Sequence, residues 1–295
     1  MKASYPTSFG GITAWARETG IPATQARVRF AQYTVLRAIT DSRSLGPILV
    51  FKGGNALDFV WHPNRSTQDL DFSADLADPE HDLDEARLRE RFTSSLAALE
   101  PVLSVVCRVV RVERQPPGPH RTFVTYVISV GYALPDQPQV RARLQAGEVP
   151  RQTIRVEISV NEPICADERV DIAGRQPLRV STVEDIVAEK LRALLQQRLR
   201  NRTRRQDLLD IAALLADGIP LDRGHVADYL RRKAAARGVP VSLAAFDDPE
   251  ISRRAHQDYD ELVTTARIRF IPFEEAWALL IAFVQTLHLD DDHRS

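Results

Sequence analysis

The chain has 295 residues, 44% of them hydrophobic and 27% charged, with a formal net charge of -1 at pH 7. At roughly 100–200 residues per domain this is one large domain or two moderate ones, long enough to bury a core without disulfides. Its composition excludes collagenous, coiled-coil and wholly disordered classes, and the balanced charge excludes a global basic field.

No apolar run approaches the ~18–20 residues that span a bilayer, and Met1 to Gly11 carries no apolar signal-type stretch. Two cysteines, Cys107 and Cys165, cannot form a disulfide framework, so a soluble protein of the reducing cytoplasm, with no membrane partner, is expected. Only Lys2, Lys52, Lys190 and Lys233 among the 39 cations are lysines, which makes each lysine more informative than any one arginine.

In chain order, residues 1–46 read as helical, with Ala26, Phe30, Tyr33, Leu36 and Ala38 on a rough stripe. Pro47 to Phe51 is a short β-type run ending in Lys52-Gly53-Gly54, and Asn55 to Trp61 reads as a short helix broken at Pro63-Asn64. Asp69 to Ser73 can form a strand, and residues 82–100 carry helical spacing. Three more strands are predicted at Val102–Val112, Phe123–Val130 and Ile154–Val160, the first two joined by a loop at Pro116-Pro117-Gly118-Pro119. Ser181-Thr182-Val183-Glu184 is a capping-box pattern, after which helices are predicted at about 182–199, 204–216, 223–238, 254–266 and 273–288. The expected organisation is α+β: a mixed domain over residues 1–180 and a helical domain over 181–295.

Four stretches carry residues suited to chemistry. Asp69 and Asp71 alternate along a strand, so they share a face about 6–7 Å apart, and two hard carboxylate ligands suit Mg²⁺. Upstream, Gly53-Gly54 lets backbone N–H groups approach a phosphate, with the following helix start adding positive potential. In Ile154 to Val160 the apolar residues alternate with Arg155, Glu157 and Ser159; beside the Asp69/Asp71 strand, Glu157 would complete three carboxylates able to hold two metals. An exposed strand with polar decoration is the alternative.

In the helix from Val183, Lys190 falls on the apolar stripe of Val183, Val187 and Leu194, so its ammonium must snorkel or meet an anion. Asp207 and Asp210 lie i, i+3 near a helix start, where acidic residues also simply complement the helix dipole. From Lys190 to Gln206 there are seven cations and no acid, with Arg198, Arg200 and Arg202 best placed to track a polyanion. No P-loop, dinucleotide fingerprint or nucleophile elbow is present.

Taken in order, Gly53-Gly54, Arg65, Thr67-x-Asp69-x-Asp71, Glu157, Ala188-Glu189-Lys190-Leu191 and Asp207-x-x-Asp210 resemble the AbiEii/AbiGii toxin family of type IV toxin–antitoxin and abortive-infection systems, to which the mycobacterial MenT toxins are similar. The resemblance implies a polymerase-β-like nucleotidyltransferase core with a mixed sheet, followed by a C-terminal helical bundle. It implies Mg²⁺ on Asp69 and Asp71 with Glu157 in support, and Asp69, Asp71, Lys190 and Asp207 as the catalytic set. Lys52, Gly53, Gly54, Asn55, Arg65, Thr67 and Lys190 would then bind the NTP.

The implied reaction is transfer of a nucleoside monophosphate to an RNA acceptor, such as a tRNA 3′ end, with a cognate antitoxin encoded alongside. Two features depart from relatives: Gln206 stands before Asp207 where many carry Arg, and fourteen residues separate Gly54 from Asp69. Two other readings use the same residues: a metal-dependent Asp-x-Asp glycosyltransferase, and a nucleotide-binding module acting through a protein partner.

Overall fold

A computed structural model describes residues 5–65, 67–76, 83–117, 122–267 and 269–289. Gly118 and Pro119 of the predicted hairpin loop lie outside the described residues. The chain divides into two compact units: the first holds residues 1–60, 68–162 and 168–180, the second 61–67, 163–167 and 181–295.

The first unit is built on a seven-stranded mixed sheet in the order β3-β4-β5-β2-β1-β7-β6. Its strands are β1 (Leu49–Lys52), β2 (Leu70–Ala74), β3 (Val106–Gln115), β4 (Thr125–Ala133), β5 (Thr153–Ser159), β6 (Asp167–Val170) and β7 (Leu178–Ser181). β2 runs antiparallel to β1 and parallel to β5, while β1 runs parallel to β7. The helices are α1 (Ile12–Thr19), α2 (Ala23–Thr40), the single turn α3 (Gly53–Ala56), α4 (Glu85–Leu103) and α5 (Pro138–Gln145).

Local chemistry explains the breaks. The predicted N-terminal helical stretch splits because Gly20 takes a left-handed φ of 69° and Pro22 precedes α2. After α3 the chain continues as a π-helical turn over Leu57–Trp61. One face of the sheet's centre is apolar: Leu70, Phe72, Phe51, Val156 and Ile158 share it and are fully buried, and the Phe51 and Phe72 rings sit 5.2 Å apart.

Helix α5 and strands β6 and β7 have no counterpart among the elements predicted from the sequence. β6 is a four-residue edge strand reading Asp-Glu-Arg-Val, and charged edges of that kind carry no apolar alternation to detect.

The second unit is helical: α6 (Val183–Leu195), α7 (Gln197–Arg200), α8 (Arg205–Ala216), α9 (Arg223–Ala236), α10 (Leu243–Phe246), α11 (Pro249–His256) and α12 (Phe273–Gln285). The cap of α6 is Thr182, whose side chain accepts the Asp185 N–H, so the cap falls one residue after the predicted Ser181. The predicted helix over 254–266 is two pieces, because Asp258 adopts a left-handed φ of 55° between α11 and a 3₁₀ turn at Tyr259–Thr264. Helix α6 packs on α8 and α9, and α8 packs on α12. No helix among the described residues is long and apolar enough to cross a membrane.

Phe72 is fully buried against Phe51 at the sheet centre. Phe72→Ala should therefore destabilise the protein by about 3–5 kcal/mol, read as a lowered midpoint in chemical denaturation; a loss under about 1 kcal/mol would contradict the packing.

Candidate active site

The sequence-predicted residues fall into two groups, one inside each unit. In the first unit, strand register lines up Lys52 of β1, Asp71 of β2 and Glu157 of β5 as direct neighbours. Directly opposed residues point to the same face, so Asp71 lies between a cation and a carboxylate. Asp69 sits one residue ahead of β2, exposed, and two positions from Asp71.

Partial desolvation of the carboxyl group, followed by repulsion from Glu157, raises the Asp69 pKa from its ordinary value, and Arg155 pulls partly the other way. Arg155 is the residue that sequence reasoning passed over. Its Nε donates to Glu157 Oε1 at 2.6 Å, and its pKa is raised against desolvation by Glu157, Asp69 and Asp71 together. An Arg-x-Glu pair on a strand face beside Asp-x-Asp was the available signal.

Gly53 explains itself in the same place. Its φ is +75°, and a Cβ there would lie 2.6 Å from Asp71 Oδ2, so only glycine lets the β1–α3 turn close over that carboxylate. α3 is a single turn, so the helix-dipole contribution expected there is small, and the glycines act through backbone access. Lys52 is ion-paired with Glu162. Asn55 is fully buried and donates its amide to the Asp69 carbonyl at 2.9 Å, which places it beneath the aspartates.

Oxygen donors of this kind suit a hard divalent cation, and a cation among the three would relieve the Glu157 repulsion that adds to desolvation in raising Asp69. Among the described residues no three acidic, His or Cys side chains converge into a ready-made cage, and Arg155 supplies the positive charge. In donor chemistry and charge these carboxylates suit a hard divalent cation.

In the second unit the predicted residues form a buried ion cluster. Lys190 Nζ donates to Asp207 Oδ1 at 2.7 Å and to Asp210 Oδ2 at 2.8 Å. Arg65 reaches Asp210 with two hydrogen bonds, at 2.9 and 3.0 Å, in the bidentate geometry that suits guanidinium and carboxylate. Burial alone would lower the Lys190 pKa, yet Asp207 and Asp210 overcome it and raise it. Burial likewise opposes ionisation of Asp210, but Arg65 and Lys190 hold its carboxyl far below the usual range. Lys190 thus meets anions on its apolar stripe rather than snorkelling.

Thr67 is half-buried at the end of the 61–67 segment. Arg198 is mostly exposed and 3.7 Å from Asp248, while Arg200 and Arg202 have no carboxylate partner among the described residues. Arg202, Arg204 and Arg254 line an open cavity of about 600 Å³ with Asn201, Thr203 and Gln257.

A mixed sheet with Asp71 on β2, Asp69 just ahead of it and Glu157 on the parallel neighbour β5 is the arrangement that the family comparison identifies as a nucleotidyltransferase. The sequence matches, over residues 34–278, the family model described as nucleotidyl transferase AbiEii toxin, type IV TA system. The chain belongs to this AbiEii toxin family. No curated protein matches it.

Among solved structures it is similar to a candidate nucleotidyltransferase from H. pylori, with a TM-score of 0.52 at 16% identity over 92% of this chain and 98% of the other. JHP933 from Helicobacter pylori gives 0.48 at 16% identity, over 88% and 90% of the two chains. MenT4, a nucleotidyltransferase toxin from Mycobacterium tuberculosis, gives 0.48 at 19% identity, over 95% and 89%.

Removing the Lys190 ammonium leaves Asp207 and Asp210 short of a buried partner. Lys190→Met is expected to destabilise the protein by about 3–5 kcal/mol, against the small effect a snorkelling lysine would have. The pH dependence has a fixed sign. Asp210, depressed in the folded state, contributes stability above its ordinary pKa of 3.8 that is lost as pH falls below it. Lys190, raised above 10.5, contributes stability that is lost only as pH rises beyond that value. Asp210→Asn should lower stability at neutral pH and flatten its decline below about pH 4, measured by denaturation across pH.

Proposed function

We propose that the chain is a Mg²⁺-dependent nucleotidyltransferase that moves a nucleoside monophosphate from an NTP to the 3′ end of an RNA, with tRNA as the acceptor class. As the toxin of a type IV pair it would stop translation in the cytoplasm, held in check by a separately encoded antitoxin. The observation that carries this reading is the carboxylate row: Asp71 and Glu157 opposed on parallel strands, Asp69 two residues away, and Arg155 among the three.

Asp69 and Asp71 would hold the metal with Glu157 in support. Bound there, Mg²⁺ would neutralise triphosphate charge and stabilise the attacking and leaving oxygens. Gly53 and Gly54 would present backbone N–H groups to the phosphates, with Lys52 as a further nucleotide contact within the first unit. Asp207 would act through its ion pair with Lys190. Arg155 would exchange the carboxylates for substrate phosphate once a metal neutralises them, since a guanidinium suits either anion.

The acceptor reading is supported by the arginine turn. Arg200 and Arg202 are free of carboxylate partners among the described residues, and the cavity beside Arg202 is lined by Arg204 and Arg254. Such a surface suits a phosphate backbone, each contact adding to the salt dependence of binding.

The deciding experiment incubates the protein with Mg²⁺, each labelled NTP separately and total RNA. Asp69→Asn and Asp71→Asn should each reduce labelling by at least about a hundredfold with an unchanged melting temperature. Turnover by either at the wild-type rate would exclude the two-aspartate assignment. The triple variant Arg198→Ala, Arg200→Ala, Arg202→Ala should weaken RNA binding and shallow its salt slope by about 1–3 units while leaving NTP binding unchanged. An unaltered slope would point to an acceptor other than RNA.

A further inference from the structure

The two proposed metal ligands differ in how they are anchored. Asp71 lies within β2 and is fixed by pairing on both sides, to Lys52 and to Glu157. Asp69 lies ahead of the strand, and neither ladder reaches it. Gln68 and Asp69 are both exposed, so packing does not hold them from outside.

They are held from below. Asn55 Nδ2 donates to the Asp69 carbonyl at 2.9 Å, and Gln32 Nε2 of α2 donates to the Gln68 carbonyl at 2.8 Å. Both side chains are fully buried. Behind Asn55 stands Arg29, 2% exposed, whose Nη1 donates to Asn55 Oδ1 at 2.7 Å and to the Tyr5 hydroxyl at 3.0 Å. The Tyr5 hydroxyl in turn donates to Asn55 Oδ1, and Arg29 Nη2 donates to Asp58. With two donors on Oδ1, the Asn55 amide can adopt only one orientation: turned over, its NH₂ would face those donors.

We propose that Asn55 and Gln32 are positioning residues that clamp the backbone of Gln68 and Asp69 and so aim the Asp69 carboxylate, with Arg29, Tyr5 and Asp58 locking the clamp. The proposal rests on the reading of Asp69 as a metal ligand. A buried Arg–Asp pair is a poor device for stability alone, since apolar residues of similar volume serve as well. Here it fixes one amide rotamer, and that amide touches the backbone of a reacting group. It also gives the start of the chain a part in the site, through Tyr5.

The test uses the full chain with two isosteric variants, Asn55→Asp and Gln32→Glu. Each keeps the acceptor oxygen and loses the donor to the clamped carbonyl. Mn²⁺ binding without nucleotide, followed by titration calorimetry, should weaken by about tenfold, and kcat should fall by about the same factor. KM for the NTP should move by less than about twofold and the melting temperature by only a few degrees.

Wild-type Mn²⁺ affinity and kcat in both variants would overturn the clamp. So would a loss of folding in both, which would make the contacts structural. Asp69→Asn, measured in parallel, separates the two claims. If it turns over normally, the reading of Asp69 has failed; if it is inactive while both clamp variants behave as wild type, the clamp alone has failed.

Discussion

Like charges placed together on one face of a sheet repel, and the first unit is arranged around tolerating that repulsion. Asp71 and Glu157 are direct cross-strand neighbours, with Asp69 close enough to feel Glu157. The strands that carry them, β2 and β5, are interior strands of a seven-stranded sheet, so the backbone cannot splay to separate the charges. Relief comes from Arg155, which donates to Glu157 and also interacts with Asp69 and Asp71, while Lys52, in register with Asp71, pairs with Glu162. The relief is partial: desolvation first and Glu157 second leave Asp69 with a raised pKa, and the face with an appetite for positive charge.

The second unit handles charge in the opposite way, by burying matched partners. Arg65, Asp210, Lys190 and Asp207 satisfy one another inside the helical unit, and Lys233 pairs with Asp185, 3.0 Å away and equally buried. Charges taken out of water in this way add little net stability compared with an apolar core. Their effect is directional: Lys190 ties α6 to α8, and Lys233 ties α9 to the first turn of α6. The scarcity of lysine acquires a physical meaning here, because Lys52, Lys190 and Lys233 each hold a specific carboxylate.

Residues 67–69, just ahead of β2, belong to neither a strand nor a helix. In such a stretch geometry must be imposed by side chains from elsewhere. Asn55 and Gln32 do this for Asp69 and Gln68, and Asn64 does it in the second unit, its carbonyl and side chain accepting from Arg267 and Arg269. Family membership over residues 34–278 accounts for the order of the motifs; the hydrogen bonds account for how exposed residues in a coil keep a defined direction.

Much was legible from the sequence. The alternation in Ile154 to Val160, the strand–Gly-Gly turn at Lys52 and the loss of strand signal after Ser181 each rest on local periodicity or local steric rules, which neighbouring residues alone decide. The ordered motifs likewise carried the family and the fold class. Three things were settled only in the folded chain. The opposition of Asp71 and Glu157, 86 positions apart, depends on β2 pairing parallel to β5, and register between distant strands is not written in either one. The burial of Lys190 between two aspartates and near Arg65 depends on α6 packing on α8, which a helical stripe implies without naming the partner. Asn55 reads in the sequence as part of a phosphate-binding turn, and its inward role follows from Tyr5 and Arg29 arriving from elsewhere in the chain. Periodicity is a property of a segment, whereas a charge's partner is a property of the fold, because electrostatics and hydrogen bonding act between atoms that only tertiary structure brings within reach.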